Sequence, residues 1–333
     1  MRVQYRKIKN GIEIVRCYGT DSLVVLPEQI EDNPVVRVAA YTFSARKSEE
    51  DQDVLEYRTE DSFLTGDDEC LLAGLNVQEV VFPDSVESIG NYIFYGCKAL
   101  RRIEFSDALM DIGSGAFTGC AQLAKLDVHL NTGEKSCVKE ILGDLWQRID
   151  VTFYCKQRNE KVNLVFPEHY EEAVENTPAR ILFTQHHGSG NNYRQCFTSK
   201  EVDYRKYDEL FAVAQVYDKT ELLMDLAFSR LISQKSLSEK YEKAYENYLV
   251  DNMQEILQKM FADGLRESKR FAYLQEISRR KLWKLETIDA AVQLAVKNGM
   301  QEVAAWLMNE RHLLFGQDEA ERRPVSKKKR FAL

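Results

Sequence analysis

The feature that most constrains this chain is a repeat of 23 residues. The segments Val77–Cys97 and Leu100–Cys120 carry matching residues at matching positions. The pairs, all 23 positions apart, are Val80 and Ile103, Phe82 and Phe105, Val86 and Leu109, Ile89 and Ile112, Gly90 and Gly113, Phe94 and Phe117, Gly96 and Gly119, and Cys97 and Cys120. A fixed period of this length is typical of solenoids, in which each coil buries its apolar side chains against its neighbours. The repeat therefore predicts a stack of coils with one continuous core.

Further coils flank this repeat. An earlier coil follows when Pro27 is aligned with Pro83, and a third begins at Leu123. Asn10-Gly11 between alternating runs predicts a β-hairpin, which would cap the first coil. Apolar residues at helical spacing over 136–149 predict a helix on the later coil.

The pattern Phe-Pro-x-x-Val-x-x-Ile-Gly-x-x-x-Phe-x-x-Cys occupies Phe82–Cys97 and, nearly unchanged, Phe105–Cys120. This pattern resembles the BspA-type leucine-rich repeats of bacteria over roughly residues 10–130. The resemblance implies a right-handed, largely β solenoid used for protein binding. Some members of that family are secreted or surface-attached adhesins.

The chain after Asp203 has the apolar period of helices, predicted at 204–215, 220–233, 237–263, 266–280, 287–298 and 301–311. Leu257–Gly264 and Val292–Gly299 repeat after 35 residues. Helix pairs at about this period suggest ankyrin-like stacking, and Lys297–Leu307 resembles the second half of an ankyrin repeat. Apolar stripes that include Phe271 and Trp306 are predicted to be core. The predicted fold class is α+β, a leucine-rich-repeat solenoid followed by an all-α helical-repeat domain.

The predicted domain bounds follow from these patterns. Residues 1–155 are the solenoid, with an acidic, loop-like insertion at 44–76. Residues 156–200 form a capping segment of strands and turns, in which Pro167 starts a short acidic helix. Residues 201–316 are the helical repeat domain, and 317–333 are a basic, disordered tail.

Composition narrows the function classes. A net charge of -8 and a pI near 5.4 argue against a nucleic-acid-binding protein. No apolar run reaches the roughly 18 residues that span a membrane, and the N-terminus lacks the apolar core of a signal peptide. Seven scattered cysteines suit a reducing compartment, and none has zinc-like spacing. We therefore expect a cytoplasmic protein without a cofactor or metal site.

The solenoid strands predict a candidate binding face. Because strand residues alternate faces and equivalent residues of stacked coils lie about 4.8 Å apart, outward side chains form columns. One column holds Leu23, Glu79, Arg102 and Lys125, and the next holds Val25, Val81, Glu104 and Asp127. The candidate partner-binding residues are Glu79, Val81, Arg102, Glu104, Lys125 and Asp127. Glu104 beside Asp127 predicts a like-charge contact that Arg102 and Lys125 can screen, and an ordinary solvated face is the alternative.

One turn carries residues that occur in active sites, namely His186, His187, Ser189, Tyr193 and Arg194. A Gly-Ser-Gly loop beside an arginine can hold a phosphate, and histidines can bind metals. Adjacent side chains of an extended segment point to opposite faces, however, so two neighbouring histidines seldom bind one ion. A polar hairpin turn is the simplest interpretation, and an anion site is the alternative.

Three functions remain open at this point. The first is a non-catalytic protein-interaction scaffold, favoured by tandem repeats and by the lack of paired catalytic groups. The second is a phospho-ligand or metal site with an enzymatic role at His186–Arg194. The third is a surface adhesin, which the N-terminus disfavours because it shows no export signal.

Overall fold

The computed structural model describes residues 1–46, 53–59, 69–176 and 181–322, and it describes only the backbone of residues 171, 173–176, 181–186 and 317–322. The chain divides into two compact units. The first comprises Met1–Asp218 with Ser233–Leu237, and the second comprises Lys219–Ile232 with Ser238–Leu333. Residues 47–52 and 60–68 of the predicted acidic insertion and the Lys327–Arg330 cluster of the tail lie outside the described residues.

The first unit is built mainly from strands. They are β1 (Arg2–Ile8), β2 (Gly11–Gly19), β3 (Leu23–Val25), β4 (Gln29–Ile30), β5 (Asn33–Val38), β6 (Leu55–Arg58), β7 (Cys70–Leu71), β8 (Glu79–Val81), β9 (Ser88–Ile89), β10 (Arg102–Ser106), β11 (Asp111–Ile112), β12 (Lys125–Leu130), β13 (Ile149–Cys155), β14 (Glu160–Phe166), β15 (Tyr170–Asn176), β16 (Ile181–His187), β17 (Phe197–Thr198) and β18 (Glu201–Val202). Its helices are α1 (Val138–Gly143), α2 (Gly190–Tyr193), α3 (Tyr204–Glu209) and α4 (Phe211–Tyr217).

Two sheets form the walls of the solenoid. The first has the order β14-β13-β12-β10-β8-β3, in which all pairs are parallel except that of β13 with β14. The second has the order β11-β9-β5-β2-β1-β6, with β4 on β5 and β7 on β2. The predicted solenoid followed by helices is therefore confirmed.

The N-terminal hairpin is confirmed. Strands β1 and β2 pair antiparallel up to Ile8 and Gly11. Gly11 has a φ of 151°, and a Cβ there would lie 2.4 Å from the Pro34 carbonyl oxygen. Glycine lets the turn approach β5, with which β2 pairs in parallel. The hairpin thereby continues the second sheet.

The solenoid core is an aromatic ladder. Phe94 stacks on Phe43 at 5.2 Å between ring centroids and on Phe117 at 5.7 Å. The thiol of Cys97 donates to the Phe43 carbonyl oxygen at 3.1 Å, and that of Cys120 donates to the Phe94 carbonyl oxygen at 3.3 Å. Burial raises the pKa of the Cys97 thiol to about 11, so it stays protonated at neutral pH. Both cysteines thus face the interior of the stack.

The edges of the first sheet differ. At β14 the Tyr207 hydroxyl accepts from the Val165 N–H at 3.1 Å and donates to its carbonyl oxygen at 2.6 Å. The Ser233 hydroxyl accepts from the Asn163 N–H at 2.9 Å. These hydroxyls form hydrogen bonds with backbone groups of β14 that would otherwise be free to pair with another strand. At the opposite edge, β3 pairs only with β8 within the described part of the chain.

Three local predictions in this unit need correction. The helix predicted at 136–149 ends at Gly143, because the chain must re-enter the parallel sheet at Ile149. The acidic helix predicted after Pro167 is wrong, since Tyr170–Asn176 is a strand paired with Ile181–His187 and the ladder overrides local helix propensity. Within the predicted insertion, Leu55–Arg58 pairs with β1.

The second unit contains helices α5 (Thr220–Ile232), α6 (Glu239–Asp251), α7 (Met253–Phe261), α8 (Glu267–Arg279), α9 (Leu285–Lys297) and α10 (Gln301–Arg322). The helix predicted at 237–263 breaks at Asn252, whose side-chain amide donates to the Tyr248 carbonyl oxygen at 2.9 Å. Gly264 and Gly299 have positive φ, as expected of residues that follow helix ends. Helix α10 continues through Arg322, and a disordered tail in the rest of the predicted segment 317–333 stays a prediction.

Candidate functional site

The outward face of the first sheet has the predicted register. Arg102 lies between Glu79 and Lys125, and Leu23 lies beside Glu79. The second column runs Val25, Val81, Glu104 and Asp127. Period and alternation were sufficient to place these side chains on one face.

Arg102 is the centre of a charge network on this face. Its Nη1 lies 3.1 Å from a Glu79 oxygen and its Nε lies 2.6 Å from an Asp127 oxygen. Its Nη2 pairs with Glu104. Lys125 Nζ lies 2.8 Å from the same Asp127 carboxylate. The predicted like-charge contact between Glu104 and Asp127 is thus bridged directly by a shared cation.

Asp127 is not available to a partner, although the pattern placed it on an exposed column. Its side chain is 0% exposed, because its neighbours on the face cover it. Burial opposes the charge of its carboxyl, but hydrogen bonds from Lys125 and Arg102 prevail and lower its pKa. Asp127 therefore holds Arg102 and Lys125 in place from beneath the surface. As a correction to the sequence prediction, it is removed from the candidate contact residues.

The lowered pKa of Asp127 predicts a pH-dependent contribution to stability. Ionised Asp127 stabilises the fold above its unfolded pKa of about 3.9, and this contribution is lost as the pH falls through the lower folded pKa. We expect Asp127→Asn to reduce the free energy of unfolding by about 2 kcal/mol at pH 7 and by less at pH 3, where the contribution is partly lost. Urea unfolding of both proteins at a series of pH values measures the difference. An equal loss at both pH values would contradict the assignment.

The sequence reasoning missed a third column. His129 Nε2 lies 2.7 Å from a Glu104 oxygen, and the His129 ring stacks on Tyr154 with centroids 5.0 Å apart. Lys161 Nζ lies 5.5 Å from the centre of the Tyr154 ring. The alternation of strand residues could have revealed this column, because His129 follows Asp127 by two positions on β12 and therefore lies on the same face. The network therefore continues across the sheet toward β14.

The apolar part of the face lies at the β3 edge. Leu23 is 42% exposed and Val25 is 54% exposed. Both are next to β8, which carries Glu79 and Val81 on this face. An exposed aliphatic pair bordered by charged side chains is the composition of an interface centre with a polar rim.

The histidine turn contains a short helix, Gly190–Tyr193. Before it, Ser189 is buried and its backbone N–H donates to Asp218 Oδ1 at 3.3 Å, while its hydroxyl donates to the same carboxylate. His187 Nε2 lies 3.2 Å from a Glu172 oxygen, and its ring stacks on Tyr170. Tyr193 is buried, and the side chain of His186 lies outside the described atoms.

Arg194 has a structural role that contradicts its proposed use in an anion site. It is 4% exposed, and in the described part of the chain its guanidinium donates to backbone carbonyl oxygens alone. The acceptors belong to Leu142, Leu145, Gln147, Pro167 and Gly190, at distances of 2.5–3.1 Å. Burial lowers its pKa to about 10, which leaves it charged at neutral pH. With its donors directed at carbonyls, Arg194 cannot also bind a phosphate.

Over the described ranges, no group of three or more His, Cys, Asp or Glu side chains could hold a metal ion. No helix in that part of the chain is both long and apolar enough to cross a bilayer.

Residues 68–140 match a family model described as BspA type Leucine rich repeat region (6 copies). The predicted resemblance is confirmed for this segment, and the ankyrin-like arrangement stays a prediction. No curated protein matches the chain.

Three solved structures are similar to part of the chain. A leucine rich cell surface protein from Faecalibacterium prausnitzii is 19% identical over 38% of this chain and 31% of its own, with a TM-score of 0.26. The T. pallidum Leucine Rich Repeat protein is 25% identical over 40% of this chain and 71% of its own, with a TM-score of 0.19. A leucine-rich repeat protein from Bacteroides ovatus is 14% identical over 40% and 49%, with a TM-score of 0.18. The chain thus spans about 31% of the first of these proteins.

Proposed function

We propose that this protein is a non-catalytic interaction scaffold that binds a protein partner through the outward face of its first sheet. The observation that carries the proposal is the exposed pair Leu23 and Val25 at the β3 edge, next to an ordered charge network. The leucine-rich-repeat match of residues 68–140 is consistent with protein binding. The partner would be a protein with an apolar anchor and polar groups around it.

The arrangement suits binding for energetic reasons. Leu23 and Val25 offer apolar area whose burial contributes about 25 cal/mol per Å² before the costs of association. The charged side chains of Glu79, Arg102 and Glu104 already hold each other in place. A partner therefore does not have to immobilise them, which reduces the entropy lost on binding. The rim would favour partners of complementary charge.

The experiment is a quantitative capture from a lysate of the source cells with three baits. The test variant carries Leu23→Glu and Val25→Glu, which places charge on the apolar edge without removing a buried group. The matched control is Leu75→Glu, since Leu75 is 70% exposed in the same unit but does not belong to this sheet. We expect at least a tenfold loss of the partner with the test variant, corresponding to about 1.4 kcal/mol or more, and no loss with the control.

The variants avoid Arg102, because Arg102→Glu would put a fourth carboxylate beside those of Glu79, Glu104 and the covered Asp127. Such a variant would test the fold and not the binding surface. Equal capture of the same proteins by all three baits would exclude the β3 edge as the binding surface. Near-identical thermal unfolding of the baits is the control for folding.

A further inference from the structure

A cleft of about 410 Å³ lies on the second unit, between the first turns of α8 and α10. Its lining residues are Glu267, Ser268, Phe271, Glu302, Val303 and Trp306. All six belong to these two helices, three to each. The cleft is therefore a groove between two helices of one compact unit.

The two walls of the cleft occupy equivalent repeat positions. Glu302 follows Glu267 by 35 residues, and Trp306 follows Phe271 by the same 35. This spacing equals that of the two segments ending at Gly264 and Gly299. Each helix thus contributes one carboxylate and, one turn later, one aromatic ring. Because residues four apart share a helix face, both pairs project to the same side.

The aromatic rings contact each other and remain partly exposed. Phe271 and Trp306 have centroids 5.1 Å apart at an interplanar angle of 65°. The prediction that these two residues belong to the core is wrong, because both keep intermediate exposure in the cleft. The edge-to-face arrangement leaves part of each ring available to a ligand.

The two carboxylates of the cleft form no ion pair with any residue that the structure describes. Glu267 and Glu302, which carry them, are both exposed. No lysine or arginine is among the residues that line the cleft. Acidic residues in the first turn of a helix are stabilised by its dipole, which accounts for each carboxylate alone. The helix dipole does not explain why an aromatic ring stands beside each carboxylate at the equivalent repeat position.

We propose that this cleft binds the basic side chain of a partner segment, a guanidinium or an ammonium group. The cation would lie against the Trp306 and Phe271 rings, whose faces carry negative partial charge. The carboxylates of Glu267 and Glu302 would supply the charge-assisted hydrogen bonds, which an arginine can make in bidentate geometry. None of the cleft residues belongs to the first sheet, so this proposal can be confirmed or contradicted separately from the proposed function.

The test uses the full-length protein and three short peptides of the form Ac-Gly-Ser-X-Ser-Gly-amide, in which X is arginine, lysine or citrulline. Citrulline is the neutral counterpart of arginine with nearly the same shape. Binding is followed by NMR of the tryptophan indole N–H groups. The protein has three tryptophans, so Trp306→Phe identifies the signal of Trp306. We expect the Trp306 signal to shift with the arginine or lysine peptide and not with the citrulline peptide. Whichever of the two basic peptides binds more tightly shows whether the cleft prefers a guanidinium or an ammonium group.

Glu267→Gln and Glu302→Gln are each expected to weaken binding about fivefold, the effect of one partly solvated charge contact. The matched control is Glu286→Gln, which removes a first-turn carboxylate from α9 without lining the cleft. It tests whether the loss of a helix-dipole interaction alone changes binding. An equal response to citrulline, equal weakening by Glu286→Gln, or no shift of Trp306 with any peptide would overturn the proposal. Unchanged helical circular dichroism confirms that each variant is folded.

Discussion

Arg194→Met is expected to lower the free energy of unfolding of the first unit by about 3–5 kcal/mol. The change keeps the aliphatic stem but removes the donors for five buried or partly buried carbonyl interactions. Carbonyls near Leu142 and Pro167 would then face an apolar thioether, and each unsatisfied buried acceptor costs about 1–3 kcal/mol. Urea unfolding followed through Trp146 measures the effect, in a background with Trp283→Phe and Trp306→Phe so that the signal reports the first unit.

The matched control for Arg194 is Arg205→Met. Arg205 is exposed, and its one ion pair among the described residues is with Glu209 at 3.2 Å on the same helix, a contact that contributes about 0.3–0.5 kcal/mol. We expect Arg205→Met to change stability by no more than that. If Arg194→Met cost as little as Arg205→Met, the guanidinium would not hold the segments around Leu142 and Pro167 together.

Phe94→Ala is expected to cost about 3–5 kcal/mol, because it removes the middle ring of the Phe43, Phe94 and Phe117 ladder. The neighbouring coils are fixed by their strand pairing, so the cavity can close only partly. Both faces of the ring lose contacts at once. Denaturant unfolding with the same Trp146 readout measures the loss.

Two controls separate the cavity from the loss of an aromatic residue. Phe94→Leu refills much of the volume and is expected to cost about 1.5 kcal/mol or less. Tyr217→Ala removes an exposed ring of the same unit and is expected to change stability by less than about 0.5 kcal/mol. A Phe94→Ala cost close to that of Tyr217→Ala would mean that the ladder contributes little to the stack.

The sequence predicted the repetitive part of the molecule because one short pattern recurs there. The 23-residue period places Glu79, Arg102 and Lys125 in one column. The same period places Cys97 and Cys120 inside the stack. In both cases the information lies in neighbouring coils that obey the same rule, so local alternation is enough.

The roles of single polar residues could not be predicted from the repeat and the alternation of strand residues. Asp127 follows the alternation of an outward residue, yet Arg102 and Lys125 cover it. Arg194 stands in a polar turn that resembles an anion site, yet its acceptors are contributed by segments up to 52 residues away in sequence. Local pattern specifies which face a side chain occupies but not which distant groups reach it.

The helical unit shows the same limit. The 35-residue spacing of Phe271 and Trp306 is visible in the sequence, but their partial exposure depends on how α8 and α10 pack. By itself, the sequence determined the solenoid, its strand register and the change to helices near Asp203, because periodicity is a local property of the chain. Only the tertiary structure decided which charges are covered, which sheet edge is closed by Tyr207 and Ser233, and where a cleft remains. Those outcomes depend on contacts between residues far apart in sequence, and the local sequence pattern does not specify such contacts.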